Sequence, residues 1–255
     1  MRRRAAEELL EFVAWYLDIS SRRAYGYAVG WGGGEPGRKA FNQAVYRLRK
    51  AGLVVSRSGG SGATPALSPG GEKHLRPVHH PRRWWRQRWN GFWYVLVYDV
   101  PEKNRSFRNV LRRFLQQQRM GCLQRSVYVT PRDIRPVYDD LLHGADVGPY
   151  ACLFESRTVL GMEPAELVAR AWDFERLNAL QRAYCDLCEE NLFRMSEEEL
   201  DPTDLGLLAQ EEMAAYVAVM TDDPLLPREL LPSDYEGEAA YKAHHGFVRA
   251  LSRRL

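Results

Sequence analysis

Hydrophobic positions between residues 93 and 131 follow two different periods. The run WYVLVY (93–98) is aromatic and β-branched, which is typical of a buried strand, and Pro101 ends it because proline cannot donate to a sheet ladder. Residues 105–118 repeat their apolar side chains at helical spacing, so they predict a helix with one buried face. That face contains Phe107, Val110, Leu111, Phe114 and Leu115. Gly121 is expected to end the helix, and CLQRSVYVTP (122–131) predicts one or two strands.

The same kinds of pattern continue after residue 131. Residues 133–143 predict a second helix, and residues 150–156 predict a closing strand. Residues 92–158 therefore have the order β-α-β-β-α-β of a ferredoxin-like domain. The C-terminal residues 159–255 are predicted to be mainly helical, with one long helix from Pro164 to about residue 193. Two further helices are expected, over residues 203–221 and from residue 238 onwards, with a proline-rich turn between them.

The N-terminal residues 1–76 predict three helices followed by a hairpin. Apolar stripes indicate helices over residues 5–17 and from residue 37 to Gly52. Between them, Ser20 or Ser21 is a candidate N-cap for a shorter helix that runs to Ala28. Short strands on either side of a glycine- and serine-rich tip follow. Three helices and a hairpin are the order of a winged helix-turn-helix, whose third helix enters the major groove of DNA. The chain is thus predicted to be α+β, with a basic linker at residues 77–91 between the first two domains.

The polar face of the third N-terminal helix carries side chains that can read bases. Arginine and lysine can pair with guanine, and asparagine and glutamine with adenine. The predicted DNA-binding residues are Arg38, Lys39, Asn42, Gln43, Tyr46, Arg47, Arg49, Lys50 and, in the wing, Arg57. The alternative is a solvated basic helix on a domain that does not bind DNA.

Charge is distributed unevenly along the chain, and this favours the DNA-binding interpretation. Residues 1–150 hold 26 Lys and Arg against 12 Asp and Glu, a net charge of +14, whereas residues 151–255 hold 10 against 21, a net charge of −11. A basic half indicates a polyanionic partner, most simply nucleic acid. The acidic half indicates a separate module with another role.

The linker interleaves arginines with Trp84, Trp85 and Trp89. One interpretation is a nucleic-acid clamp that acts by stacking and charge. The other, which we prefer, is that the tryptophans pack between domains while the arginines stay in water.

Cysteines and apolar runs exclude several classes of protein. Four cysteines in 255 residues do not make a disulfide framework, which fits a reducing, cytoplasmic environment. Cys185 and Cys188 have no second cysteine pair, so they do not supply the ligands of a zinc site. No apolar run reaches about 18 residues, so no membrane span is predicted. No cofactor is predicted either.

Two families resemble the central segment. The sequence YDVP (98–101), the arginine-bearing helix and GCLQRSVYV (121–129) resemble the core of the small CRISPR adaptation nuclease-like proteins, which have a ferredoxin-like fold. The same core forms the middle domain of PaaX-type repressors. The flanks favour PaaX, because WNGFW (89–93), AWDFERLNALQRAY (171–184) and DDPLLPRELLPSDYEGEAA (222–240) resemble segments of that family. The chain departs from the family at Tyr235, where tryptophan is usual, and in its wing motif.

The PaaX resemblance implies a dimeric transcriptional repressor that an acyl-CoA, such as phenylacetyl-CoA, releases from double-stranded DNA. The homodimer contact should involve residues 92–158. Arginines of the linker and middle domain should meet the CoA phosphates, and aromatic residues near the C-terminal helices should meet the acyl group. These predicted effector residues are Arg83, Arg86, Arg108, Arg112, Trp172, Phe174 and Tyr184. The alternative is that the acidic module only supports the dimer.

The other resemblance implies a different function. In the CRISPR nuclease-like family the aspartate of this motif, here Asp99, is linked to metal binding and phosphodiester cleavage. One carboxylate makes a weak metal site unless a dimer partner supplies a second. The structural interpretation is that Asp99 accepts hydrogen bonds from the turn after its strand. A third hypothesis is a nucleic-acid adaptor without ligand control.

Overall fold

The structure is a computed structural model that describes residues 45–59, 62–74, 81–145, 148–159 and 161–254. The chain groups into two compact units. The sheet unit contains residues 82–180 and 221–235, and the helix–hairpin unit contains residues 1–81, 181–220 and 236–255. The helices predicted within residues 1–44 lie outside the described residues, so the complete winged helix-turn-helix stays a prediction.

The described chain begins within a helix, α1 (45–50), and a hairpin follows it. Gly52 has a φ of 72°, and its N–H donates to the carbonyl of Arg49, so the helix ends where the sequence predicts. The strands β1 (Val54–Gly59) and β2 (Gly62–Leu67) pair antiparallel. Helix α2 (Pro69–His74) comes next.

The sheet unit has the predicted connectivity. After a short helix α3 (Pro81–Trp85) come β3 (Trp93–Tyr98), α4 (Arg105–Gln117), β4 (Gly121–Gln124), β5 (Val127–Thr130), α5 (Arg135–Ala145) and β6 (Ala151–Ser156). The four strands form an antiparallel sheet in the order β4-β5-β3-β6. The order β-α-β-β-α-β predicted from the two hydrophobic periods is therefore confirmed.

The central strand β3 is covered on both faces of the sheet within the sheet unit. Because successive side chains of a strand point to opposite faces, Trp93 and Tyr94 belong to different cores. Tyr94 packs with Phe114 and Ile134 under α4 and α5. Trp93 packs on the other face with Leu167 and Leu226, from segments that follow the sheet in sequence. This double cover explains why β3 is almost continuously hydrophobic.

The C-terminal helices differ from the prediction at one point. The helices are α6 (Pro164–Ala171), α7 (Phe174–Glu197), α8 (Pro202–Asp222) and α9 (Gly237–Arg254), with a 3-10 turn at Arg228–Leu230. The single long helix expected from Pro164 is wrong, because Trp172 is extended, with φ −129° and ψ 137°. The Asp173 side chain then accepts a hydrogen bond from the N–H of Arg176 and so begins α7.

Gly121 has a different role from the predicted one. Helix α4 ends at Gln117, and Arg119 has the positive φ, 52°, that turns the chain. Gly121 lies in β4 instead, beneath the indole of Trp172. A Cβ atom at this position would lie 2.6 Å from Cε2 of Trp172 and 2.7 Å from Cβ of Ala171. Glycine is therefore needed so that the end of α6 can approach the sheet.

Within the described ranges, no helix is long and apolar enough to cross a membrane. All four cysteines are free thiols.

Candidate nucleic-acid interface and effector residues

The face that α1 turns to solvent carries Tyr46, Arg47, Arg49 and Lys50. Val45 and Leu48 are buried and anchor the helix. Tyr46 is 66% exposed, a large value for an aromatic side chain. This is a polar and aromatic face on a fixed helix, the chemistry expected of a base-reading surface. Arg38, Lys39, Asn42 and Gln43, which were predicted to extend it, lie outside the described residues.

The wing prediction rests on the hairpin that follows α1. Arg57 lies in β1 opposite Thr64, three positions from the Val54–Leu67 pair near the base of the hairpin. Residues 60 and 61, at the tip, lie outside the described residues. The hairpin backbone thus has the predicted place in the chain.

The linker tryptophans pack onto the sheet unit. Trp85 is buried edge-on against Tyr235, with ring centroids 5.8 Å apart, and Trp89 lies 4.9 Å from Trp93. The guanidinium of Arg132 lies over the Trp84 ring at 4.4 Å. Because these rings have protein partners, packing explains them better than a stacking clamp for bases does. Two linker arginines predicted to bind effector, Arg83 and Arg86, are exposed.

A polar cluster that sequence reasoning missed fixes the 221–235 segment to the sheet. The Arg132 guanidinium donates to the carbonyls of Pro224 and Leu225, both at 2.7 Å. Arg119 donates to the carbonyls of Thr221 and Asp223. Burial, together with the charge of Arg119, lowers the pKa of Arg132 to about 10. Both arginines thus satisfy backbone carbonyls in the last turn of α8 and directly after it.

Asp223 completes this cluster from the segment itself. Its carboxylate accepts hydrogen bonds from the N–H of Leu225 and from the hydroxyl of Tyr235. Burial raises the pKa of Asp223, and the hydrogen bond from Tyr235 opposes that shift. Leu225 has a φ of 50°, so the segment turns sharply at the point where the arginine holds it.

The predicted effector residues fall in several places. Arg108 and Arg112 are exposed on α4, and Arg108 also donates to the Val100 carbonyl at 3.0 Å. In the sheet unit, Trp172 donates from Nε1 to the Arg119 carbonyl, and Phe174 packs edge-on against Tyr235.

Tyr184 belongs to the helix–hairpin unit, where it is buried. Its aromatic neighbour there is Tyr216, with ring centroids 5.8 Å apart. The structure therefore places Trp172 and Phe174 in one hydrophobic core of the sheet unit, whereas Tyr184 packs in the helix–hairpin unit.

Those partners form a second buried polar cluster that links three helices. The Tyr184 hydroxyl, from α7, donates to the Glu212 carboxylate of α8, and Nδ1 of His244, from α9, donates to the same carboxylate at 2.7 Å. Tyr216 stacks on the His244 ring at 3.9 Å. Glu212 is fully buried, and its Oε2 atom has no hydrogen-bond partner among the residues that the structure describes. Burial, with the Glu212 charge, raises the pKa of Tyr184.

A cavity of about 450 Å³ lies beside β3 and the start of α6. Trp93, Met162 and Leu167 supply apolar wall, while Arg157 and Glu166 supply charge. The Arg157 guanidinium lies over the Phe92 ring at 4.5 Å. The volume falls within the range of small-molecule sites.

Asp99 is exposed directly after β3, and its N–H donates to the Tyr150 carbonyl at 2.8 Å. Among the residues that the structure describes, no group of three or more His, Cys, Asp and Glu could hold a metal ion.

Comparison with known proteins places the chain in a family. A model of the PaaX protein central Cas2-like domain matches residues 86–168, and a model of the PaaX-like protein C-terminal domain matches residues 172–254. The transcriptional repressor PaaX of Escherichia coli (strain K12) is 27% identical over 210 residues, which cover 80% of this chain. The chain spans 66% of the length of that relative.

A solved structure supports the fold alone. The uncharacterized protein Rv0674 from Mycobacterium tuberculosis matches with a TM-score of 0.53 and 24% identity, over 95% of this chain and 94% of that chain. The first family match ends near the C-terminus of α6, and the second begins just before α7. Together the two matches cover more than half of the chain. The chain belongs to the PaaX family.

Proposed function

We propose that the chain is a DNA-binding transcriptional repressor of the PaaX type, not an enzyme. The observation that carries the proposal is α1, a helix anchored by Val45 and Leu48 that presents Tyr46 and Lys50 to solvent. A hairpin follows it directly, which is the order of a recognition helix and a wing. The name of the E. coli relative, a transcriptional repressor, supports the same function.

Loss of a base-reading side chain should weaken operator binding selectively. The double variant Tyr46→Ala, Lys50→Ala should bind a selected operator at least about tenfold more weakly, since each base contact contributes about 1–3 kcal/mol. Fluorescence anisotropy with labelled duplexes measures this. Lys242→Ala, which removes an exposed lysine from α9, is the control. Unchanged operator binding by the double variant would show that α1 does not read DNA.

The repressor should act as a homodimer, because a two-fold dimer doubles the footprint on a palindromic site. A contact within residues 92–158 has the edge strand β6 available. Phe154 on that strand is 55% exposed. A two-fold contact that includes β6 would cover this side chain. Light scattering that gives the mass of one chain at micromolar concentration, with and without DNA, would exclude this dimer.

An acyl-CoA effector is the second part of the proposal. The family resemblance supports it, as do the exposed cations Arg83 and Arg86 of the sheet unit. The cavity beside β3, which Trp93 and Leu167 line with apolar side chains, could hold the acyl group. Such a site would suit a ligand that is anionic at one end and apolar at the other.

Ligand control should appear when the protein–operator complex is titrated with aryl-CoA and fatty-acyl-CoA thioesters, with free CoA as control. An effector shifts the equilibrium between the DNA-binding and the released conformation only if it binds the two with different affinities. Typical coupling of this kind would lower the affinity for DNA about 5–150-fold. The effector should also raise the melting temperature of the free protein. If every thioester leaves both quantities unchanged, the C-terminal helices have a structural role.

The metal-dependent nuclease remains the alternative from another class, because Asp99 is exposed at the end of β3. Incubation with labelled DNA or RNA and Mg²⁺ separates the two functions. The repressor should bind without cleavage. If the wild type cleaves the nucleic acid and Asp99→Ala does not, the protein is a nuclease and the repressor proposal is wrong.

A further inference from the structure

Helix α4 presents a continuous basic face to solvent. Leu111, Phe114 and Leu115 are its buried residues. Its exposed positions carry four arginines and four uncharged polar side chains, and the helix contains no aspartate or glutamate. These exposed residues are Arg105, Ser106, Arg108, Asn109, Arg112, Arg113, Gln116 and Gln117. At a rise of 1.5 Å per residue, the arginines extend over roughly 12 Å along the helix.

The charge of this face is not neutralised within the described part of the chain. No described carboxylate lies within ion-pair distance of Arg105, Arg112 or Arg113. Two exposed arginines elsewhere in the sheet unit are paired: Arg135 with two carboxylates, and Arg176 with Asp222 at 2.7 Å. Within the described residues, Arg105, Arg112 and Arg113 by contrast keep their donors available for an external anion.

Two electrostatic features of this face would favour a bound anion. Arg105 occupies the first turn of α4, where the helix dipole favours anions and disfavours cations. Arg108 and Arg112 are like charges four residues apart, a spacing that destabilises an isolated helix. Binding of an anion would relieve both costs.

We propose that this arginine face is a second DNA contact, which binds the phosphate backbone without reading the sequence. The inference rests on the proposed repressor function and deepens it. An extended row of cations fits a linear polyanion better than a single phosphate group, and arginine is the side chain best suited to paired phosphate contacts. Contacts of this kind release counterions and therefore depend steeply on salt. Because CoA phosphates offer the same chemistry, the test has to separate the two sources.

The test compares two triple variants that remove the same charge. The first is Arg105→Gln, Arg112→Gln, Arg113→Gln; Arg108 is left intact because it also bonds to the Val100 carbonyl. The control is Lys242→Gln, Arg249→Gln, Arg253→Gln, three exposed cations of α9. Affinity for the selected operator and for an unrelated duplex is measured over a range of salt concentrations. Melting temperatures verify that each variant folds.

The α4 triple should lose about tenfold or more in affinity for both duplexes. Its plot of log affinity against log salt should be shallower by roughly 2–3, because each lost phosphate contact removes about 0.9 from the slope. The control should match the wild type in both quantities. Free CoA, tested by thermal shift, should change the melting temperature of the α4 triple and of the wild type by the same amount.

Each other outcome overturns the inference. If the α4 triple and the control bind both duplexes equally well, the face has no DNA contact, while the repressor function stands. Loss of the CoA response with DNA binding intact would assign the face to a small phosphate ligand. Loss of operator binding alone would indicate base reading. A wild-type chain that binds no duplex would remove the inference together with the proposed function.

Discussion

Replacing Arg132 by alanine should lower the free energy of unfolding of the sheet unit by about 3–5 kcal/mol. The guanidinium donates to the carbonyls of Pro224 and Leu225, and its face lies over Trp84. Alanine would leave both carbonyls without this donor, and each buried unsatisfied polar group costs about 1–3 kcal/mol. The stacking with Trp84 would also be lost. Denaturant unfolding followed by tryptophan fluorescence measures the loss.

Arg135→Ala is the matched control, three residues away. Its side chain is exposed and pairs with Asp133 and Glu155. Exposed ion pairs contribute about 0–1 kcal/mol, so this variant should unfold almost as the wild type does. Arg132→Lys should recover only part of the stability, since an ammonium lacks the planar fork and the stacking face. Equal losses for Arg132→Ala and Arg135→Ala would contradict the assignment of Arg132 as the clamp of this segment.

Replacing Glu212 by alanine should destabilise the helix–hairpin unit by a similar amount, about 3–5 kcal/mol. Removal of a buried acceptor has effects of this size, because each buried donor left without a partner costs about 1–3 kcal/mol. Here the Tyr184 hydroxyl and Nδ1 of His244 would both lose their acceptor. These groups come from α7 and α9, so a single substitution in α8 would weaken the packing of all three helices. Thermal unfolding followed by circular dichroism measures the effect.

The neighbouring Glu211 supplies the control, since it lies on the exposed side of the same helix. Glu211→Ala should change the free energy of unfolding by less than about 0.5 kcal/mol. Tyr184→Phe, which removes only one donor to the carboxylate, should cost about 1 kcal/mol. If Glu212→Ala is as stable as Glu211→Ala, the cluster does not hold the helices together.

The central fold was predictable because its signals are local. A strand and a helix have different hydrophobic periods, and the β3–α4 segment shows both within 25 residues of sequence. The break at Trp172 was not predictable from spacing, because apolar residues recur at helical intervals on both sides of it. The cause lies elsewhere in the fold, where Gly121 leaves room for the Trp172 ring. The only local signal was Asp173, a residue type that favours the N-cap.

Some features of the candidate sites were also predictable from local sequence, whereas others depend on long-range contacts. The exposed face of α1 follows from its period, because Val45 and Leu48 point inward and Tyr46 and Lys50 outward. The bonds of Arg132 cross about 90 residues of sequence, so no window of the sequence contains them. Aromatic residue type alone also could not separate a ligand pocket from a core. Tyr184 was predicted to meet an effector, and it is buried beside Glu212.

Sequence-specific DNA binding by the full chain is the most direct test of the account. The measurement is the ratio of affinities for a duplex selected from random sequence and for an unrelated duplex of equal length, at one physiological salt concentration. A PaaX-type repressor should prefer the selected duplex by about 10³-fold or more. Equal affinity for the two duplexes, or no enrichment of any sequence during selection, would contradict the proposal that this chain is a repressor.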